Sequence, residues 1–279
     1  MQIQISVIIP AYNREATIER CIRSVMNQVV RPFEVIMIDD GSVDRTIELA
    51  ENMGCDMLRV IRQNHKGAQA ARNLGILNAK GNYITFLDSD DEWLPQMLER
   101  VVELLSGVGK RCVIYGDCFT CRDKQKRLWR LPGYSGNLYR FLLLHPGPTI
   151  SMVVPRDILL KIGLLDEQIT AYQEWDVAIR ISRELEFIHI REPLFIYHIH
   201  DGGNISGSLD KNIKGYARIV RKFHGEIIAE HGLEGLYSHY QVLFGNCLEC
   251  KSRQIAVVGF QMLCIQLLLR IRRWVIERR

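Results

Sequence analysis

The 279-residue chain has no glycine-rich cradle for phosphate: neither G-x-G-x-x-G nor G-x-x-x-x-G-K-[ST] occurs. Any nucleotide must therefore be held by side chains and loop backbone. It also lacks an uninterrupted apolar run of the ~20 residues that crossing a bilayer requires, and it has no internal repeat or low-complexity linker. Its eight cysteines, at 21, 55, 112, 118, 121, 247, 250 and 264, do not form the dense framework of a small secreted scaffold. Reduced thiols in a cytosolic protein are expected. The pairs Cys118/Cys121 and Cys247/Cys250 have C-x-x-C spacing but lie far too distant in sequence for a zinc ribbon, which leaves a zinc site or a redox pair as the lesser readings. Met1–Pro10 has no basic start and runs straight into a strand-like segment, so no signal peptide is expected and the sequon Asn204-Ile205-Ser206 is expected to stay bare. The net charge of +4 is too small to argue for nucleic acid.

What charge there is sits unevenly. Residues 213–279 carry 11 Lys/Arg against 5 Asp/Glu, a balance of +6, while residues 1–212 come to −2. The C-terminal segment is a separate electrostatic object. Length and a 47% apolar content suit one large α/β domain with an appendage, or two small domains.

Residues 1–106 alternate between apolar strand-like runs (Ile5 to Pro10, Phe33 to Ile38, Met57 to Ile61, Tyr83 to Leu87) and helical candidates near 16–28, 45–53 and 67–79. Such a βαβ series predicts a parallel sheet covered by helices on both faces, with ligands beyond the carboxyl ends of its strands. Polar clusters fall at those ends. Residues 107–200 read as shorter strands around 112–115, 150–154 and 187–199 with helices at 157–162 and 174–183, expected to continue the same sheet in mixed or antiparallel pairing. From about 208 helices dominate, near 213–231, 236–250 and 255–277.

The richest cluster is Asp88-Ser89-Asp90-Asp91, with three carboxylates after a buried strand. They would resist ionising together unless a divalent cation such as Mg²⁺ or Mn²⁺ neutralised them, and a phosphate-bearing substrate would complete its coordination. The plainer alternative is a cap for a helix whose first turn is Glu92 to Pro95. Asp39 and Asp40 end the second strand, where a carboxylate can accept from a base N–H or a ribose hydroxyl, or where Ser42 or Asp44 simply starts a helix. Arg72, in the small-residue helix Gly67 to Gly75, could pair with a diphosphate or with the acidic loops. Glu174 and Asp176 open an amphipathic helix, where acids also suit the helix dipole. His198 and His200 share a strand face and are either a metal or phosphate contact or structural.

Taken in order, Val7-Ile-Ile-Pro-Ala-Tyr-Asn13, Val35 to Asp44, Ala71-Arg-Asn73, the Asp88-Ser-Asp90 DxD motif and Glu174-Trp-Asp176 span residues 3 to 206. This sequence resembles the inverting family 2 nucleotide-sugar glycosyltransferases of the GT-A fold. The resemblance implies a Rossmann-like mixed sheet flanked by helices over residues 1–207, with a nucleotide-sugar-binding half (1–106), an acceptor and catalytic half (107–207), and a helical C-terminal region over 208–279. It implies that Pro10, Ala11, Tyr12 and Glu15 line the nucleotide pocket with Asp39 and Asp40, that Asp39 reads the base, and that Arg72 faces the diphosphate. Asp88 and Ser89 would lie at the ribose and metal-bound water, and Asp90 would coordinate Mg²⁺ or Mn²⁺, assisted by His200. The family usually has Glu-Asp before an aromatic and Asp. Here those positions are Gln173, Glu174, Trp175 and Asp176, so the resemblance implies Glu174 as the base with Asp176 beside it as the second catalytic acid.

The expected donor is a nucleoside-diphosphate sugar, a UDP-hexose or UDP-N-acetylhexosamine first, and the acceptor a glycan or lipid-linked hydroxyl in bacterial surface polysaccharide synthesis. Trp129, Tyr134 and Tyr139 are candidate acceptor contacts. The rival readings are a nucleotidyltransferase-like sugar-nucleotide enzyme and a non-catalytic glycan- or nucleotide-binding module of the same fold. Ile255 to Leu269, followed by Arg270, Arg272, Arg273 and Trp274, suits an interfacial helix on anionic lipid. That would make the protein cytoplasmic and peripheral on the inner face of the plasma membrane; the other reading packs the helix on protein, in the core or in a homodimer.

Overall fold

The computed structural model describes residues 2–147, 151–169, 171–199, 209–249 and 254–277. Two compact units emerge, one from Met1–Leu138, Pro148–Glu167 and Arg180–His200, the other from Tyr139–Gly147, Gln168–Ile179 and Asp201–Arg279.

In the first unit, β1 (Ile5–Ala11), α1 (Ile18–Met26), β2 (Glu34–Asp39), α2 (Thr46–Glu51), β3 (Leu58–Arg62), α3 (Ala68–Asn78) and β4 (Tyr83–Phe86) alternate as the periodicity requires. All seven residues of β1 are buried, which is why Ile5 to Ala11 reads as one apolar run rather than an alternating one. The sheet order is β3-β2-β1-β4 with every pair parallel. After β3 the chain crosses back, so the direction of winding reverses between β1 and β4 and opens a crevice at their carboxyl ends. Helix α3 lies directly on β1 because its facing positions are small: a Cβ at Gly75 would stand 2.4 Å from Ile8 Cγ2.

The second half of this unit departs from expectation. Only β8 (Val154–Pro155) extends the first sheet, antiparallel to β4. Strands β5 (Glu92–Trp93), β6 (Val113–Arg122), β7 (Gln125–Trp129) and β9 (Phe187–His198) form a second sheet in the order β5-β9-β6-β7. Glu92 and Trp93 are thus a strand and not the first turn of a helix. The next residue, Leu94, precedes Pro95, whose ring disfavours helical backbone before it, and the Leu94 N–H instead donates to Leu194 O at 2.9 Å. Helix α4 (Met97–Val108) starts only beyond that proline. One hydrophobic core still serves both sheets, since Ile9 and Leu87 share it with Cys118, Ile190 and Phe195. Helix α6 (Arg156–Lys161) follows β8.

The second unit is helical. It contains α5 (Tyr139–Leu142), the first two turns of α7 (Gln173–Ser182), α8 (Leu209–Lys222), α9 (His224–Glu249) and α10 (Ile255–Glu277). Gly232, at φ 66°, breaks the helical path inside α9. The core of this unit is Trp175, whose ring meets those of Tyr172, Tyr216 and His239 and whose Nε1–H donates to Leu142 O at 2.6 Å. Burial holds His239 below its ordinary pKa and therefore neutral. Its Nε2–H donates to Leu143 O at 2.8 Å, which leaves Nδ1 to accept from the Tyr216 hydroxyl at 2.9 Å. No helix among the described residues is long and apolar enough to cross a membrane.

Candidate functional site

Two loops at the carboxyl edge of the first sheet are sewn together. The loop after β1 and the loop after β2 exchange hydrogen bonds at every step: Asp40 N to Ala11 O (2.8 Å), Asn13 N to Ser42 Oγ (2.9 Å), Val43 N to Asn13 Oδ1 (3.0 Å), Arg14 N to Thr46 Oγ1 (2.6 Å), Glu15 N to Asp44 Oδ2 (3.0 Å) and Arg45 N to Glu15 Oε2 (3.1 Å). Asn13 adopts φ 50° to make its two bonds, a conformation that asparagine tolerates better than most residues. Burial works to raise the Asp44 carboxyl, but the Thr46 hydroxyl and the Glu15 and Thr46 N–H groups outweigh it and hold the pKa below normal.

The neighbouring aspartates divide their tasks. Buried Asp39 accepts from Gly41 N (3.2 Å) and Ser42 N (3.1 Å), closing the turn after β2 around Gly41 at φ 83°. A Cβ at Gly41 would stand 3.1 Å from His65 N. Asp40, also buried, turns the other way and gathers the loop after β3, accepting from Gln63 Nε2 (2.6 Å), Lys66 N (2.8 Å) and Gly67 N (2.8 Å). His65 Nδ1 lies 2.9 Å from it. The exposed rings of Tyr12 and His65 meet at a tilt with centroids 4.2 Å apart, forming an open aromatic rim next to Asp40. Pro10 and Ala11 are buried within β1 and offer backbone only, while Glu15 is exposed.

Beyond β4, Asp88 and Asp90 keep part of their surface in solvent, and Asp91 does not. Asp91 accepts from His198 N at 2.8 Å, tying the end of β4 to the end of β9. Desolvation, then the nearby Asp88 and Asp90 carboxylates, push its pKa well above the usual range. Of the three acids, two are thus available outside. Guanidiniums confront both: Arg72 donates to Asp88 Oδ1, Arg14 Nη2 stands 3.5 Å from Asp90 Oδ2, and Arg20 donates to Asp90 O. Buried Ser89 offers its carbonyl to Thr17 Oγ1 at 2.9 Å. The Arg72 Nε and Nη1 are buried without a hydrogen-bond partner among the described residues. Burial, and then Asp91, Asp90 and Asp88, raise the Cys21 thiol behind the loop, which keeps it protonated.

In the helical unit, Tyr172 at φ 60° turns the chain into α7 and its carbonyl receives the N–H groups of Trp175 (3.1 Å) and Asp176 (3.3 Å). Asp176 is buried, with the Lys222 ammonium at 2.6 Å. Glu174 is only half-buried, which makes it the more accessible acid of the pair. Desolvation and then the Glu174 charge raise the Tyr172 phenol.

Among the described residues no three His, Cys, Asp or Glu side chains converge on a common ion position. Asp88 and Asp90 nevertheless fit a hard divalent cation, because magnesium-type ions are held through one or two carboxylates and complete their shell with water and substrate phosphate. His200 lies outside the described residues. Arg20, Thr17 and His65 are not singled out by the sequence. Arg14 is flagged by its place directly after β1, whereas nothing in an amphipathic α1 distinguishes Arg20 from a solvated arginine.

Comparison with known proteins agrees with this architecture. Residues 6–163 match the family described as Glycosyl transferase family 2. The chain is 31% identical over 230 residues to the amylovoran biosynthesis glycosyltransferase AmsB of Erwinia amylovora, covering 74% of this chain and 76% of that one. It is 42% identical over 101 residues to the uncharacterized glycosyltransferase EpsJ of Bacillus subtilis, a match that covers 36% of this chain and only 29% of EpsJ. Among solved structures, residues 1–349 of S. aureus TarS in complex with UDP-GlcNAc superpose with a TM-score of 0.69 at 16% identity, over 91% of this chain and 76% of that one.

Proposed function

Because the chain belongs to glycosyl transferase family 2 and has a GT-A fold, we propose that it is an inverting enzyme that moves a sugar from a nucleoside diphosphate, UDP first, to a hydroxyl of a glycan or lipid-linked acceptor. The observation that carries this reading is the meeting of Asp88 and Asp90 with Arg14, Arg20 and Arg72 at the crevice where the sheet reverses. Mixed charge of this kind suits a diphosphate, whose oxygens need cations, and a metal, which needs carboxylates. That the TarS structure was obtained with UDP-GlcNAc supports the choice of nucleotide. Bacterial surface polysaccharide synthesis is the setting suggested by AmsB.

In this reading the Tyr12 ring and Asp39 receive the base, and the free donors of Arg72 receive the diphosphate. Asp90, with Asp88, holds Mg²⁺ or Mn²⁺, which when bound offsets charge on the departing phosphate. Glu174 accepts the proton of the acceptor hydroxyl as its oxygen forms a bond to the anomeric carbon. The bond from that carbon to the diphosphate oxygen breaks on the opposite face, and the configuration inverts. Asp176, paired with Lys222, holds the start of α7 rather than moving protons. The exposed Trp129 and Tyr134 are proposed acceptor contacts, since sugar faces stack on aromatic rings. Tyr139 instead donates its hydroxyl to Glu226 within the helical unit.

Calorimetric titration with UDP, GDP and dTDP, each with and without Mn²⁺, tests the donor site. Metal-dependent binding of one nucleotide that disappears in Asp90→Ala is expected. Binding of none, or binding indifferent to metal and to Asp90, would overturn the reading.

A further inference from the structure

Helix α10 is apolar on two opposite sides, and only one of them is covered by the described residues. Val258 and Ile265 are buried, with Met262 and Leu269 partly covered along the same side. That side packs on α9, where Phe244 lies 3.0 Å from the position a Cβ would take at Gly259. On the other side Val257, Phe260, Leu263, Leu267, Leu268 and Ile271 are each 50–68% exposed. With Cys264, also exposed, they form a stripe roughly 140° wide at the α-helical repeat. A contiguous apolar surface of this kind marks an interaction site.

Charge distinguishes the occupants. Residues 250–276 contain five Lys/Arg and no Asp/Glu. If 257, 260, 264, 267 and 271 were the a and d positions of a helix pair, the flanking e and g positions would be Gln261, Leu263, Leu268 and Arg270. These offer a second copy no opposite charge to pair with, and the stripe is wider than a two-position seam. A broad apolar face on a segment whose charges are all basic from residue 250 up to Glu277 suits an anionic lipid surface. We propose that α10 lies in the plane of an anionic membrane, with the side formed by Val257, Phe260, Leu263, Leu267, Leu268 and Ile271 seated among the acyl chains and α9 on the protein side. This inference stands apart from the donor-site reading, because it is tested without turnover.

The test uses the full chain with an environment-sensitive dye on Cys264, in a background of Cys55→Ser and Cys250→Ser. Vesicles of phosphatidylcholine with about 30% phosphatidylglycerol should bind roughly tenfold or more tightly than phosphatidylcholine alone, and shift the dye to the blue. Phe260→Asp and Leu267→Asp should abolish that shift. Neither touches the side facing α9, and Arg270→Gln, which removes no apolar group, should weaken binding and its salt sensitivity. Failure to bind anionic vesicles, equal binding to neutral ones, or a dimer in sedimentation without lipid that Leu267→Asp dissociates would each overturn the proposal, the last by assigning the face to a second copy.

Discussion

Arg72 holds Asp88 with one nitrogen of its guanidinium and keeps the other two buried and without partners among the described residues. Leaving charged donors unsatisfied inside a protein is costly, and sites that do so commonly await a ligand. Replacing Arg72 with Met removes those donors while keeping the apolar stem against the sheet. A hydrogen bond to a charged group contributes about 1.5–3 kcal/mol, so nucleoside-diphosphate affinity should fall about 10- to 150-fold. Titration calorimetry reads this directly; an unchanged Kd would reduce Arg72 to a structural partner of Asp88.

Glu174→Gln keeps the shape and hydrogen-bonding reach of the side chain but cannot accept a proton. Turnover should drop by a factor of about 10² to 10⁴, with nucleotide affinity preserved. Steady-state rates combined with the binding measurement separate this from a folding defect, and a variant that turns over like the parent would move the base elsewhere.

The buried carboxyl of Asp91 has a folded pKa above its unfolded one. Its ionisation therefore costs stability, absent below the ordinary carboxylate range and growing as pH rises through the raised value. Asp91→Asn retains an oxygen for the His198 N–H and removes that cost. The melting temperature of the variant relative to the parent should climb as pH rises above about 4, the ordinary carboxylate value, toward the raised one. Measured in chelator, a difference flat with pH would mean the charge is fully compensated.

Gly75→Ala should destabilise even though alanine is the better helix former. The gain in propensity is at most about 1 kcal/mol, whereas a methyl 2.4 Å from the fully buried Ile8 forces α3 off β1. Overpacking of this kind costs about 1–3 kcal/mol, so a net loss is expected in denaturant unfolding. Arg72 rides on the same helix, so nucleotide affinity should fall with it.

The first sheet was legible because β1, β2 and β4 are short apolar runs bounded by Asp, Gly and Asn, and because parallel central strands leave no alternation to misread. The second sheet was not. β7 is entirely exposed and reads Gln-Lys-Arg-Leu-Trp, with no apolar period, while β5 has two residues and depends on the distant β9 for its pairing. Asp88 and Asp90 could be found by their place after a buried strand. That Asp91 turns inward could not, since its partner, the His198 backbone, is more than a hundred residues away. Likewise the burial of Asp176 against Lys222, which leaves Glu174 the more accessible acid, is a contact invisible along the chain.

The bonds between the loops after β1 and β2 bear on how the proposed donor pocket could be changed. Asn13, Glu15, Ser42, Asp44 and Thr46 each answer a group on the opposite loop, so exchanging one loop leaves its counterpart with severed partners. If the proposed reading holds, base specificity can be changed only by exchanging both loops together. Grafts that carry residues 11–17 and 39–46 together should keep the pocket intact, while single-loop chimeras should lose nucleotide binding before any base contact has been altered.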